Sequence, residues 1–224
     1  VIATQGRGFW IIDHLDAVRI AKKQIIDQPL QIIGSESAPL TSRNKTSIFY
    51  YFKDSLTKKD TFFLDIMDAS GKSIQTYSNR KFGSDTIDYT PIKGVNYKHW
   101  NMNYPGAKRP KGMILWWATT AGPRAKPGKY WFRTTLNGQT DSVSFNVWQN
   151  PNSKATTSDY DEQFDFLTEV IAKIDETHQV LEEIEQLSTR LKKFKKAYNY
   201  SEKDTIIGEI DSMLLKYTNW FNKK

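Results

Sequence analysis

Two adjacent tryptophans, Trp116 and Trp117, are the residues of this chain best suited to binding chemistry. The run Met113 to Thr119 reads as a strand, and neighbours on a strand point to opposite faces. One ring can then enter a core while the other stays outside as a flat platform for a sugar. The carboxylates offer less. A glycosidase needs two carboxyl groups ~5–10 Å apart. Asp65 and Asp68 flank a strand end, and Asp85 and Asp88 share a loop, but aspartate is common in turns for backbone reasons alone. Glu182, Glu183 and Glu185 fall on the wet face of a helix. The three histidines, His14, His99 and His178, lack a second histidine or a carboxylate at metal-ligand spacing. His178 sits on an apolar helix seam, where it reads as a hydrogen-bonded core residue. There is no cysteine for a thiolate or a disulfide, and no nucleophile elbow or phosphate-binding glycine loop. The residues therefore nominate no catalytic group, no metal and no cofactor, and only Trp116 and Trp117 as a binding site.

The elements around these residues change character along the chain. From Thr46 onward, short alternating runs recur: Ser47 to Lys53, Thr61 to Asp68, Lys72 to Tyr77, Tyr97 to Met102, Met113 to Thr119, Lys129 to Leu136 and Thr140 to Trp148. The last two flank Asn137-Gly138, the signature of a type I′ hairpin turn. Seven short strands over such a length predict an antiparallel immunoglobulin-like β-sandwich, with Trp100 packed between its sheets. A polar stretch, residues 152–158, leads into a helix capped at Thr157 or Ser158. Apolar residues then recur at steps of three and four from Phe164 to Tyr198, the pattern of a long helix with a coiled-coil-like seam. A second amphipathic stretch, about 202–222, predicts an antiparallel helical hairpin. The fold expected is thus α+β, a sandwich followed by that hairpin. The shorter second arm leaves Phe164, Leu167, Ile171, Ile174 and His178 to be covered by the sandwich or by a second copy of the chain.

Composition bounds the partners. Of the 224 residues 38% are hydrophobic, enough for a packed core. No apolar run is long enough to span a membrane, and no signal peptide is recognisable. The net charge of +7 is uneven: residues 1–157 carry 22 Lys and Arg against 11 Asp and Glu, while the remainder is mildly acidic. The cations are scattered along the sequence, which argues against a nucleic-acid face.

A family resemblance adds to this reading. Gly6-Arg7-Gly8-Phe9-Trp10-Ile11-Ile12-Asp13 resembles the strand that closes the last blade of sortilin-like and BNR-repeat β-propellers. The order Asp68-Ala69-Ser70-Gly71-Lys72, Gly94-Val95-Asn96 with Trp100, Tyr104-Pro105-Gly106, Gly122-Pro123, Pro127-Gly128-Lys129-Tyr130, Leu136-Asn137-Gly138 and Asn150-Pro151 resembles the domain that follows the propeller in BNR-repeat glycosyl-hydrolase-like proteins of bacteria. Asp159 and Gln163-Phe164-Asp165-Phe166-Leu167 resemble the start of the family's helical segment. Asn101, Asn103, Asn150 and Asn152 stand where the family carries charged residues. The resemblance implies residues 1–26 as the end of a propeller, 27–45 as a linker, 46–151 as the sandwich and 158–224 as the helical hairpin. It also implies a secreted or envelope-associated protein in which this chain is a non-catalytic module. Such a module would brace the preceding propeller or meet a protein partner, including a second copy through the helical seam. The alternatives are a carbohydrate-binding module using Trp116 or Trp117, and a fragment of a glycoside hydrolase whose active site is mostly elsewhere.

Overall fold

The computed structural model describes residues 2–4, 8–10, 28–41, 45–83, 85–110, 112–198, 208–210 and 212–213. They fall into two compact units. The first comprises 1–105 with 123–165, and the second 106–122 with 166–224.

In the first unit, β1 (Ile2–Thr4) and β2 (Gly8–Trp10) form a two-stranded sheet, pairing among the described residues with each other. The body is built from β3 (Leu30–Glu36), β4 (Ala38–Pro39), β5 (Thr46–Phe52), β6 (Phe62–Met67), β7 (Ser73–Ser78), β8 (Thr86–Asp88), β9 (Gly94–Trp100), β10 (Gly128–Leu136) and β11 (Gln139–Trp148). A three-stranded antiparallel sheet has the order β3-β5-β9, and a six-stranded sheet the order β4-β11-β10-β6-β7-β8.

The strands form where alternation is strict. Along β10 the buried residues are Tyr130, Phe132, Thr134 and Leu136, every second position, as a half-buried strand requires. Asn137 and Gly138 both take left-handed φ, 50° and 88°, so the hairpin turn is the one Asn-Gly favours. Phe132 and Phe145 stack at 4.3 Å between centroids, and Trp100 meets Tyr130 at 5.4 Å and Phe145 at 6.0 Å. Tyr50, Phe52 and Phe62 form a second aromatic group. Trp100 is 1% exposed, and its indole N–H donates to the Asn103 carbonyl at 2.9 Å, so burial leaves no unpaired donor.

The expected antiparallel immunoglobulin-like sandwich with a helical hairpin is not what forms. The β part is a curled, mixed half-barrel arrangement, and among the described residues one long helix follows it. The large sheet is mixed because β4 pairs parallel to β11 and β8 pairs parallel to β7. Alternation reports which face a residue turns inward, not which way its neighbour runs, so the antiparallel inference had no physical support at the edges. The 27–45 stretch, expected as a linker, contains β3 and β4. Glycine and proline there mark a bulge between Ile32 and Gly34 and the end of a two-residue edge strand rather than a flexible path. Met113 to Thr119, expected as a strand, is not one.

Helix α1 (Thr157–Tyr198) is 42 residues long. A reciprocal capping box starts it: Asp159 Oδ2 accepts from Thr156 N at 2.7 Å and Thr156 Oγ1 at 2.9 Å, and Asp159 N donates back to Thr156 Oγ1 at 3.3 Å. The cap is thus one residue before the expected Thr157. In the first unit, α1 begins against the β body. Phe164 meets Tyr104 edge-on at 4.7 Å, and Lys126 pairs with Asp161 at 2.7 Å. Most of the expected second helical arm lies outside the described residues; Gly208–Ile210 and Ser212–Met213 are helical.

Candidate functional site

The second unit holds both candidate binding residues. Its loop, residues 106–122, leaves the β body and returns to it. Within the first unit the chain on either side is paired: Tyr104 N donates to Pro123 O at 2.8 Å and Ala125 N to Met102 O at 2.7 Å. The loop's own neck is closed just beyond. Ala107 N donates to Thr120 O at 2.9 Å, and Arg109 Nε to Thr120 Oγ1 at 2.9 Å. Gly106 permits this closure, because a Cβ there would sit 1.8 Å from the Thr120 carbonyl oxygen, closer than any side chain tolerates.

The same unit ties the neck to α1. The Lys108 N–H donates to Asp175 Oδ1 at 2.6 Å. The Lys108 carbonyl lies 2.6 Å from His178 Nδ1, and since a carbonyl only accepts, Nδ1 carries the proton. His178 is buried and occupied by this bond, the structural role its seam position predicts. Leu167, Ile171, Ile174, Leu181, Ile184 and Leu191 are half-buried along the seam, while Leu187 and Phe194 are exposed. Beside His178 runs an open groove of about 440 Å³ lined by Phe166, Glu169, Val170, Lys173, Ile174 and Thr177. Lys173 pairs with Glu176 at 2.7 Å.

Beyond this tied neck the tip is bare. Trp116 is 80% and Trp117 102% exposed, and Ile114 is 78% exposed. Neither tryptophan enters a core, contrary to the alternation expected of a strand. The reason is local. Trp117 takes φ 46°, a left-handed value that is unusual for a bulky residue and that ends any extended path. Between Met113 and Ala118 every side chain is apolar. The loop carries Lys108, Arg109 and Lys111 but no carboxylate.

Two of the carboxylates weighed for catalysis, Asp65 and Asp68, are held in structural bonds. Asp65 accepts from Arg133 Nη2 at 2.8 Å and Nε at 3.1 Å, and from Thr76 Oγ1 at 2.7 Å. Asp68 closes the turn before β7, accepting from Ser70 N, Ser70 Oγ and Lys72 N. Partial burial pushes its carboxyl up, but those three hydrogen bonds outweigh burial and hold it below the ordinary range. Asp85 and Asp88 are exposed near and within β8. Glu182, Glu183 and Glu185 are on the exposed face of α1. His99 Nδ1 lies 2.9 Å from Ser47 Oγ, and His14 falls outside the described residues. Among the described residues no three His, Asp or Glu converge as metal ligands, and no helix is long and apolar enough to cross a membrane.

One arrangement had no signal in the sequence. Lys98 lies with its ammonium 4.2 Å from the Tyr77 ring centre and 4.5 Å from that of Tyr89, while Tyr50 donates to Tyr89 at 2.6 Å. Desolvation lowers the Lys98 pKa and raises those of Tyr50, Tyr77 and Tyr89. The group is a filled cation–aromatic cage, closed by the protein's own lysine. Tyr50 and Lys98 come from the three-stranded sheet, and Tyr77 and Tyr89 from and just beyond the β7–β8 edge of the larger one, so the group exists only where the two sheets face each other.

No protein-family model and no curated protein matches the chain. Neither ties the chain to sortilin-like or BNR-repeat propeller proteins.

Proposed function

We propose that this chain is a non-catalytic binding module whose contact surface is the tip of the 106–122 loop. The observation that carries the reading is the contrast within that loop. Its neck is held by backbone hydrogen bonds and by Asp175 and His178 of its own unit, while Trp116 and Trp117 are held out bare. Exposed aromatic and apolar residues on an ordered support mark a contact surface more often than a free one. The employment of Asp65 and Asp68 in structural bonds supports the non-catalytic half of the reading. In the setting the resemblance implies, the module accompanies a propeller in a secreted or envelope protein.

A glycan platform is the second reading, favoured by the two open indole faces. Sugar sites set polar side chains beside the stacking ring to fix orientation, and positions 113–118 offer none.

Two measurements test the proposal. Acrylamide is expected to quench a fluorescence component that the Trp116→Ser/Trp117→Ser double variant lacks. A panel of aryl glycosides is expected to be left uncleaved. A tryptophan pair inaccessible to acrylamide, or turnover abolished by removing a carboxylate, defeats the reading.

A further inference from the structure

We infer that the 106–122 loop docks the chain on the surface of an anionic lipid bilayer, with Ile114, Trp116 and Trp117 entering the interface. The inference rests on the binding-module reading and names the partner of the same site.

The chemistry of the tip selects the partner. Met113 to Ala118 is apolar at every position, and three of its side chains are more than three-quarters exposed. A folded protein surface would have to offer a matching apolar socket, and a glycan would need hydrogen-bonding side chains that the run lacks. The headgroup boundary of a bilayer needs neither. Tryptophan partitions there because its ring is amphipathic, and aliphatic neighbours follow it into the acyl region.

The charge next to the tip points the same way. Lys108, Arg109 and Lys111 lie within the five residues before the apolar run, and the whole loop contains no carboxylate. Lys108 and Arg109 are exposed. Peripheral anchoring takes two signals, an apolar one and a basic one, and cations near an anionic leaflet each add to affinity. The loop carries both signals side by side. The neck bonds at Thr120, Asp175 and His178 order the loop before it binds, so less conformational entropy is lost on docking.

The test uses the full chain with vesicles of phosphatidylcholine alone and of equimolar phosphatidylcholine and phosphatidylglycerol. Co-sedimentation and a blue shift of tryptophan emission are expected on the anionic vesicles only. Binding should weaken as salt is raised, because the Debye length shortens. Trp116→Ser/Trp117→Ser is expected to lower vesicle affinity about tenfold or more, the effect of losing two interfacial anchors. Lys108→Ser/Lys111→Ser is expected to lower it about thirtyfold, from ~1 kcal/mol per cation near the surface. Trp148→Ser, a control 52% exposed in the other unit, should bind as the parent does, and unchanged thermal melting should accompany every variant. The assignment is overturned by no vesicle binding, by equal binding to both vesicle types, or by binding that the Trp116/Trp117 variant retains. If vesicles fail while acrylamide still reaches the pair, the lipid assignment falls and the binding-module reading stands. Glycan binding that depends on the pair would then identify the partner instead. If acrylamide does not reach the pair, both fall.

Discussion

Trp100 and Trp117 are the same residue type with opposite fates. Trp100 ends β9 with 1% of its surface exposed, ringed by Tyr130 and Phe145 and with its N–H on the Asn103 carbonyl. Trp117 has all of its surface exposed and a left-handed backbone. The difference lies in the neighbours. Trp100 belongs to a strand whose partner β5 supplies Thr46 directly opposite it. Trp117 belongs to an apolar run with no period, bounded by Gly112 and Gly122. Hydrophobicity drives a side chain out of water only if a complementary surface is available to it, and the loop has none of its own.

The largest expected effect sharpens that contrast. Trp100→Ala should cost ~3–5 kcal/mol as a large-to-small change in a packed core, read as a fall in the denaturant midpoint. Trp116→Ala/Trp117→Ala should leave stability within ~0.5 kcal/mol, as surface changes do. Equal losses in the two variants would break the comparison.

Next in size is the outward face of the large sheet. Asp65→Asn removes the carboxylate that Arg133 and Thr76 share, and should cost about 1.5–3 kcal/mol, the range for hydrogen bonds to a charged group. A double-mutant cycle with Arg133→Met would assign the coupling. A smaller effect is expected where α1 begins: Thr156→Ala removes both halves of the capping box and should cost ~1 kcal/mol, visible as lost helicity in circular dichroism.

The smallest effect is acid-dependent. Asp60 accepts from Thr57 Oγ1, Asn137 Nδ2 and Thr57 N, and these bonds, in that order, lower its carboxyl from 3.8 to about 2. A carboxyl depressed in the folded state contributes stability that is present above its unfolded value and lost as pH falls through the folded one. The turn at Asn137 should therefore loosen between about pH 4 and pH 2, and Asp60→Asn should flatten that part of the stability profile. The carboxyl is fully exposed, so salt should shrink the effect.

Much of the molecule was legible before folding. The alternation that predicted Lys129 to Leu136 and Thr140 to Trp148 puts β10 and β11 within a residue of those bounds, because burying one face imposes a period of two on any half-buried strand. The steps of three and four predicted α1 almost to the residue, and His178 as a bonded seam residue, because the same burial on a helix imposes a period of 3.6. The edges were not legible. β4 and β8 are two and three residues long, too short to carry a period, and their parallel pairing depends on where the chain has already been brought. The run at Met113 shows the reverse failure: strongly apolar, it reads as a strand, yet no sheet edge receives it.

The sequence by itself determined the β10–β11 hairpin with its Asn137-Gly138 turn, the span of α1 to within a residue, and that Trp100 faces inward. Those are short-range consequences of periodicity, turn residues and capping, each set within a few neighbouring positions. Tertiary structure alone decided that the large sheet is mixed, that Lys98 closes a cage of tyrosines, that Asp65 serves Arg133, and that Trp116 and Trp117 are left bare. Each depends on which distant surface reaches a residue first, and burial is a property of the pair of surfaces and not of either one.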